Sequence, residues 1–383
     1  MLSVISVGLP LLVAILAGEG VKATSCNVTS PCPLSAPCCS EYGFCGKGHF
    51  CLGGCNPFSS RSLDSCKPAP VCKEAEYVFS DDSRILSNAT YFEGDATEYD
   101  WVLDQGKIFN TNNTGGELAL TLTEKNGGTK ISSTRYVHYG TITARLKTSR
   151  WNGVITAFIT MSDIKDEIDW EFAGSATTEG QSNYFWQGFI PEKHNGGVHG
   201  ELSDTFSNYH DYTIDWQPDT LSWAIDGKVV RTIKRADTID PATGIVRYPT
   251  TPSRIQLSIW PAGIPGSAAG TVEWSGGMID WNHPDYKDAG QFYILVKSVS
   301  VKCSNLPSLV SSSNSTAANI TSYVYTGNGT NGTPALAYTN RSTDLNGVGR
   351  GMNLLGVEGG KWQLAVLGLT GLFVTASQVV LGL

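Results

Sequence analysis

The sequence lacks the patterns that mark helical, metal-binding or nucleic-acid-binding proteins. Long amphipathic stretches of helical period are missing, which leaves an all-β architecture as the natural reading. The six histidines are scattered. No His-x-x-x-His or Cys/His cluster of zinc type occurs, no calcium-ligand cluster is distinctive, and no metal or cofactor is expected. Basic clusters are absent too: Lys and Arg number 27 against 35 Asp and Glu, giving a net charge of -8, so nothing is available to neutralise phosphates and nucleic acid is excluded as a partner.

Long apolar runs occur at the two ends. Leu2 to Ala17 is short for a membrane span and leads into Val21-Lys22-Ala23, with small residues at both cleavage positions, so residues 1–23 are expected to be a secretory signal peptide. Trp362 to Leu383 is apolar and uncharged, and no basic stop-transfer cluster follows it. Small residues around Asn346, Gly347 and Gly349 and a polar spacer precede it, which predicts a GPI-attachment signal over 351–383 with attachment at Asn346 or Gly347. The protein is therefore expected to be secreted and held at the plasma membrane and cell wall through a GPI anchor, with a plain C-terminal transmembrane anchor as the competing reading. Residues 304–350 are rich in Ser, Thr, Asn and Gly and read as a glycosylated stalk. Sequons fall at Asn314, Asn319, Asn328, Asn331 and Asn340 within it, and at Asn27, Asn88 and Asn112 upstream.

Nine of the ten cysteines lie between Cys26 and Cys72, a density that predicts an exported, disulfide-stapled module over 24–66. From 73 to 303 the chain reads as short strands rich in Val, Ile, Thr, Tyr and Trp, separated by Gly, Asn-Gly and Asp-Gly turns. Asp226-Gly227 suits a tight hairpin turn. A β-sandwich follows, one sheet curved around its ligand.

The most informative segment is Glu167-Ile168-Asp169-Trp170-Glu171. A strand period of two puts three carboxylates on one face and Ile168, Trp170 and Phe172 on the other. Like charges two positions apart repel, so stability alone does not select this arrangement; chemistry on a sugar does. Glu167 and Glu171 α-carbons four extended residues apart are separated by roughly 13 Å, and inward-leaning side chains leave about 5 Å between carboxylates, the gap of a retaining glycosidase. Glu167 is then the nucleophile and Glu171 the acid/base, while the charge of Asp169 keeps Glu171 protonated and a hydrogen bond from it orients Glu167.

Two resemblances join these readings. Cys38-Cys39-Ser40-Glu41-Tyr42-Gly43-Phe44-Cys45-Gly46 followed by Phe50-Cys51 resembles the hevein-type chitin-binding module, carbohydrate-binding module family 18. The resemblance implies that Ser40, Tyr42, Phe44 and Phe50 contact N-acetylglucosamine units, aromatic faces stacking on pyranose rings. It also implies the pairs Cys26 with Cys39, Cys32 with Cys45, and Cys38 with Cys51, and leaves Cys55, Cys66, Cys72 and Cys303 with three possible pairings. Tyr139-Gly140-Thr141-Ile142-Thr143-Ala144-Arg145-Leu146-Lys147, Trp151-Asn152-Gly153-Val154, Asp166 to Phe172, His210 to Trp216 and Ile259-Trp260-Pro261-Ala262-Gly263 resemble glycoside hydrolase family 16, and more narrowly the fungal Crh cell-wall transglycosylases. That family implies a β-jelly roll, Glu167 as nucleophile, Glu171 as acid/base, and transfer of chitin onto β-glucan.

The alternation in Arg254 to Trp260 places Gln256, Ser258 and Trp260 on one face, so Gln256 and Trp260 are expected to line the cleft, with Trp260 as a stacking platform. Thr271 and Trp274, on what reads as the next extended segment, are expected to extend that wall. Competing readings are a hydrolase of the same mechanism acting on chitin or β-1,3/1,4-glucan, and a non-catalytic chitin-binding wall protein.

Overall fold

A computed structural model of the chain describes residues 24–111, 116–304, 320–329 and 332–346. The signal peptide, the apolar tail, Gly347 and the sequons at Asn112, Asn314, Asn319 and Asn331 lie outside the described residues. Among the described residues no helix is long and apolar enough to cross a membrane.

Two eight-stranded sheets face each other. The inner, site-bearing sheet contains β1 (Ile85–Leu86), β2 (Trp101–Gln105), β3 (Thr129–Val137), β4 (Val154–Ser162), β5 (Glu167–Ala173), β6 (Gly180–Phe185), β7 (Gly197–His199) and β8 (Ser253–Pro261), in the spatial order β7-β6-β5-β4-β8-β3-β2-β1. All pairs are antiparallel except β1 with β2. The outer sheet is centred on Gly140–Lys147, which pairs with His210–Trp216 on one side and Phe292–Cys303 on the other.

Alternation explains the packing. Tyr212, Ile214 and Trp216 from the outer sheet meet Ile168, Trp170 and Phe172 of β5 in one continuous core. Each such side chain contributes roughly 1.5–3 kcal/mol through burial of apolar surface. Two indole donors lock the acidic strand from its core side: Trp170 Nε1 donates to the Thr213 carbonyl at 3.1 Å, and Trp223 Nε1 to the Asp169 carbonyl at 2.9 Å. The Asp226-Gly227 turn joins Thr220–Ile225 to Lys228–Lys234, with φ of 49° and 79°, the consecutive left-handed pair of a tight hairpin.

The N-terminal region is held by Cys26–Cys39, Cys32–Cys45 and Cys38–Cys51, the pairs that the hevein resemblance implies. The remaining four cysteines form Cys55–Cys66 and Cys72–Cys303. Strand register brings the second pair together. Ala75 opposes Val301 in an antiparallel ladder, so the chain running back from Ala75 meets the chain running forward from Val301.

Part of the segment expected as a stalk is folded. Ser322–Asn328 and Pro334–Thr339 form a hairpin that pairs with Ala69–Pro70. Tyr323 and Tyr338 are buried against Val71 and Tyr136, and the Tyr338 hydroxyl bonds His138 Nδ1 at 2.8 Å. Burial lowers His138 to about 4 and keeps it neutral there. Composition averaged over Ser, Thr and Asn conceals the apolar positions that dock this hairpin. Asn27, Asn88, Asn328 and Asn340 are all exposed.

Candidate active site

The face of β5 opposite the core carries the three acids. Directly opposite residues in an antiparallel ladder share a face. Glu167 pairs with Met161 and Phe185, Asp169 with Ile159 and Asn183, and Glu171 with Ala157 and Gln181. One strand further, Met161, Ile159 and Ala157 oppose Arg254, Gln256 and Ser258. The row Asn183-Asp169-Ile159-Gln256 therefore runs across the floor, perpendicular to the strands.

Asp166 fixes where the strand begins. Its fully buried carboxylate accepts from the backbone N–H groups of Gln187 (2.9 Å), Thr250 (2.9 Å) and Thr251 (3.1 Å), and from the Thr251 hydroxyl (2.7 Å). It ties the start of β5 to the chain on both sides. The sequence motif contains this residue, but nothing in its spacing reveals the role.

Glu167 and Asp169 are fully buried and Glu171 is 7% exposed. Among the described residues no donor reaches the oxygens of Glu167 or Asp169, or Oε1 of Glu171. Two adjacent carboxyls without other donors are satisfied when one holds a proton and donates it to the other. Burial is the main cause of the resulting shifts. It raises Glu167 to about 7, against opposing pulls from the Lys165 ammonium and the Asp169 hydrogen bond. Burial, with the Glu167 charge added, raises Glu171 to about 8. Asp169 lies well above the carboxylate range, through burial and then the charges of Glu167 and Glu171 on either side.

The causes differ from the expectation for Asp169: burial and then the Glu167 charge raise Glu171, while Asp169 is itself pushed upward by burial and by its two acidic neighbours. Protonated Asp169 donates toward Glu167, which ionises before the other two. The order of these shifts lets Glu167 ionise while Glu171, on the far side of Asp169, still holds its proton, the combination that acid-assisted nucleophilic attack at an anomeric carbon needs.

Glu171 borders a cavity of about 120 Å³ whose walls include Gln181, Asn183, Phe185, His194, Thr271 and Trp274. Thr271 and Trp274 do reach this wall, but on a short helix, α1 (Ala269–Trp274), rather than an extended segment. A spacing of three residues puts both on one helix face. Trp274 Nε1 donates to Gln181 Oε1 at 2.8 Å, which fixes the indole beside Glu171. Trp260 differs from expectation. It is only 3% exposed and packs with Ile155, Ala157, Ala173 and Ala262, its ring 6.1 Å from that of Trp274. It supports the Trp274 wall from below and offers no free stacking face. Gln256 lies on the floor, and its amide donates to Glu41 at 3.2 Å.

Ser40, Tyr42, Phe44 and Phe50 come together on one face of the N-terminal region and line a cavity of about 230 Å³. Tyr42 and Phe44 are 49% and 44% exposed, so their rings are accessible. Ser40 Oγ accepts from the Phe44 N–H at 3.3 Å. Gly46 lies directly beneath Phe50, where a Cβ would come within 2.3 Å of the ring, so this close approach needs glycine. All described cysteines are oxidised, and the close sulfurs of Cys26, Cys32 and Cys39 therefore offer no thiolate to a metal.

Residues 95–276 match the family "Glycosyl hydrolases family 16". The chain is 44% identical to "Crh-like protein 2" of Aspergillus fumigatus, over 79% of this chain and 69% of that protein. The chain belongs to the Crh-like members of glycosyl hydrolase family 16. It is also 45% identical to "Crh-like protein 3" of Botryotinia fuckeliana, over 79% of this chain and 66% of the relative. Identity to "Congo red hypersensitive protein 2" of Saccharomyces cerevisiae is 41%, over 79% and 63%. The chain thus spans about two thirds of the length of these Crh-like relatives. The solved structure "Crh5 transglycosylase in complex with NAG" superposes with a TM-score of 0.54 at 27% identity, covering 71% of this chain and 94% of that one. "Apo Crh5 transglycosylase" gives 0.52 at 30% identity, covering 66% and 92%. Family 16 membership and the glycosidase/transglycosylase class thus rest on sequence and fold together.

Proposed function

We propose that this Crh-like chain is a retaining transglycosylase that cuts chitin and moves the chain onto a β-glucan acceptor outside the cell. The observation that carries the mechanism is the alternation on β5: Glu167, Asp169 and Glu171 share the floor face, and Glu171 opens onto the Trp274 cavity. Glu171 protonates the glycosidic oxygen as Glu167 attacks the anomeric carbon, forming a glycosyl ester. The leaving fragment departs with that proton. Glu171, now a carboxylate, takes a proton from the incoming acceptor hydroxyl, which displaces Glu167 and restores the starting state. Asp169 orients Glu167 throughout.

Transfer outcompetes hydrolysis when the acceptor is held beside the ester at high effective molarity while water is excluded. The Trp274 wall, fixed by Gln181, is suited to hold an acceptor ring by stacking. The aromatic face at Ser40, Tyr42, Phe44 and Phe50 supports chitin as the bound polymer, and five disulfides suit an oxidising, extracellular location. Attachment through a GPI anchor at Asn346 or Gly347 belongs to the same reading. Chitin oligomers incubated with a fluorescent β-glucan oligosaccharide test it. A labelled hybrid product is expected from the native chain and none from Glu167→Gln; release of reducing ends without hybrid refutes transfer.

A further inference from the structure

A buried ion pair joins the N-terminal module to the floor of the catalytic cleft. Glu41 lies in sequence between the sugar-contact residues Ser40 and Tyr42, borders the same cavity as they do, and reaches the sheet, where Lys130 Nζ also stands 5.0 Å from the centre of the Tyr42 ring. Glu41 Oε1 accepts from Lys130 Nζ at 2.9 Å and from Gln256 Nε2 at 3.2 Å. The Lys130 and Glu41 side chains are only 5% and 11% exposed. Burial opposes ionisation of Glu41, but the Lys130, Lys165 and Arg254 charges outweigh it and hold the carboxyl well below its ordinary range.

The rest of the contact is equally specific. The Gly54 N–H donates to Asp163 Oδ1 and to the Tyr136 hydroxyl, each at 3.0 Å. Gly53 lies so close to the sheet that a Cβ there would sit 2.4 Å from Arg254 Nη1. Gln256 shares a cross-strand row with Ile159 and Asp169. Glu41 therefore stands over the floor two strands from Asp169, about 10 Å away at the usual strand spacing. A glycan crossing the strands beyond Asp169 meets this pair.

The burial of the acids points the same way. A nucleophile must be reached by an anomeric carbon, yet Glu167 is fully buried, while Glu171 borders the cavity beside Trp274. We infer that the N-terminal module closes the catalytic cleft: the Glu41 carboxylate, latched by Lys130 and Gln256, holds the module over β8 and β3 and bars a long glycan. A polymer of β-linked N-acetylated amino sugars releases it. The release follows from geometry. The module's aromatic face looks into the cavity of about 230 Å³, whose opposite wall includes Phe92, Asp104 and Arg254. The Tyr42 and Phe44 rings are accessible while the module is docked. Glu41 borders the same cavity, however, so a chain that extends from those rings into it meets the latch and seats fully only as the module leaves the floor. Polymer binding and cleft opening are then coupled, each favouring the other by the same factor.

This inference rests on the reading of β5 as the catalytic strand, and its test separates the two. Glu41→Lys places a cation among Lys130, Lys165 and Arg254, and Glu41→Lys with Lys130→Glu restores an opposite-charge pair. Expected for Glu41→Lys are a larger radius of gyration by small-angle X-ray scattering, tighter binding of N-acetylglucosamine hexamer, and kcat/KM on that hexamer raised at least about tenfold. The double variant returns toward native on all three. A native radius and native hexamer affinity in Glu41→Lys overturn the latch, whether or not any variant turns over. An enlarged radius with unchanged turnover overturns the gating. An enlarged radius and tighter binding with no turnover in any variant, the native chain included, support the latch and refute the catalytic reading.

Discussion

Replacing Glu167 by Gln separates catalysis from stability in opposite directions. The amide has the shape of the carboxyl but cannot ionise or attack. Burial sets Glu167 to about 7 in the folded chain against an ordinary value of 4.5. An acid whose folded value is raised binds more protons when folded, so native stability falls as pH rises from about 4.5 to about 7. Converted at 1.36 kcal/mol per pH unit, this weighs about 3 kcal/mol against the native chain above pH 7 and nothing below pH 4. Gln escapes that cost but buries amide hydrogens with few acceptors, at roughly 1–2 kcal/mol independent of pH. Glu167→Gln is therefore expected to be destabilised by about 1–2 kcal/mol at pH 4 and stabilised by a similar amount at pH 7.5. For a domain of this size the swing corresponds to roughly 6 °C in relative Tm. Thermal unfolding of both proteins with disulfides intact, at the two pH values, reads it directly, while activity falls at least about a thousandfold. A Tm difference that is the same at both pH values, or that moves against the variant as pH rises, refutes the account of the buried acids.

The same shifts set the pH dependence of turnover, since Glu167 must be ionised and Glu171 protonated. Values of about 7 and about 8 predict a narrow bell in kcat/KM centred between them, its limbs belonging to the coupled acids as a set. A profile flat from pH 5 to pH 9 contradicts this. Cys72→Ser with Cys303→Ser removes a crosslink that closes a sequence separation of 231 residues, for which chain entropy predicts a loss of about 5 kcal/mol. Denaturant unfolding of the pair variant checks it; a loss below about 1 kcal/mol shows that the ends of the sandwich are held by other contacts.

Legibility in the sequence followed the range of the interaction. The β5 acids were readable because a strand fixes side-chain direction locally, and Ile168, Trp170 and Phe172 identify the core face. The tight turn at Asp226-Gly227 was readable for the same reason. Helix α1 was misread as extended because six residues are too few to establish a helical period. The hairpin of Ser322–Asn328 and Pro334–Thr339 was concealed because two buried tyrosines carry its docking inside an otherwise polar stretch. The Cys72–Cys303 pairing depends on strand register, and the Glu41–Lys130 pair joins residues 89 apart in the chain. Trp260 shows the limit of alternation: its face was assigned correctly, but only the packing of α1 above it determines that the ring is covered.

Double displacement through a glycosyl ester on Glu167, as proposed for the β5 acids, fixes the anomer of the product. Proton NMR of the reducing end newly formed when a β-linked chitin oligomer is hydrolysed, recorded before mutarotation, reads that anomer: the β form is expected on the fragment freed from Glu167, and the α form there refutes double displacement.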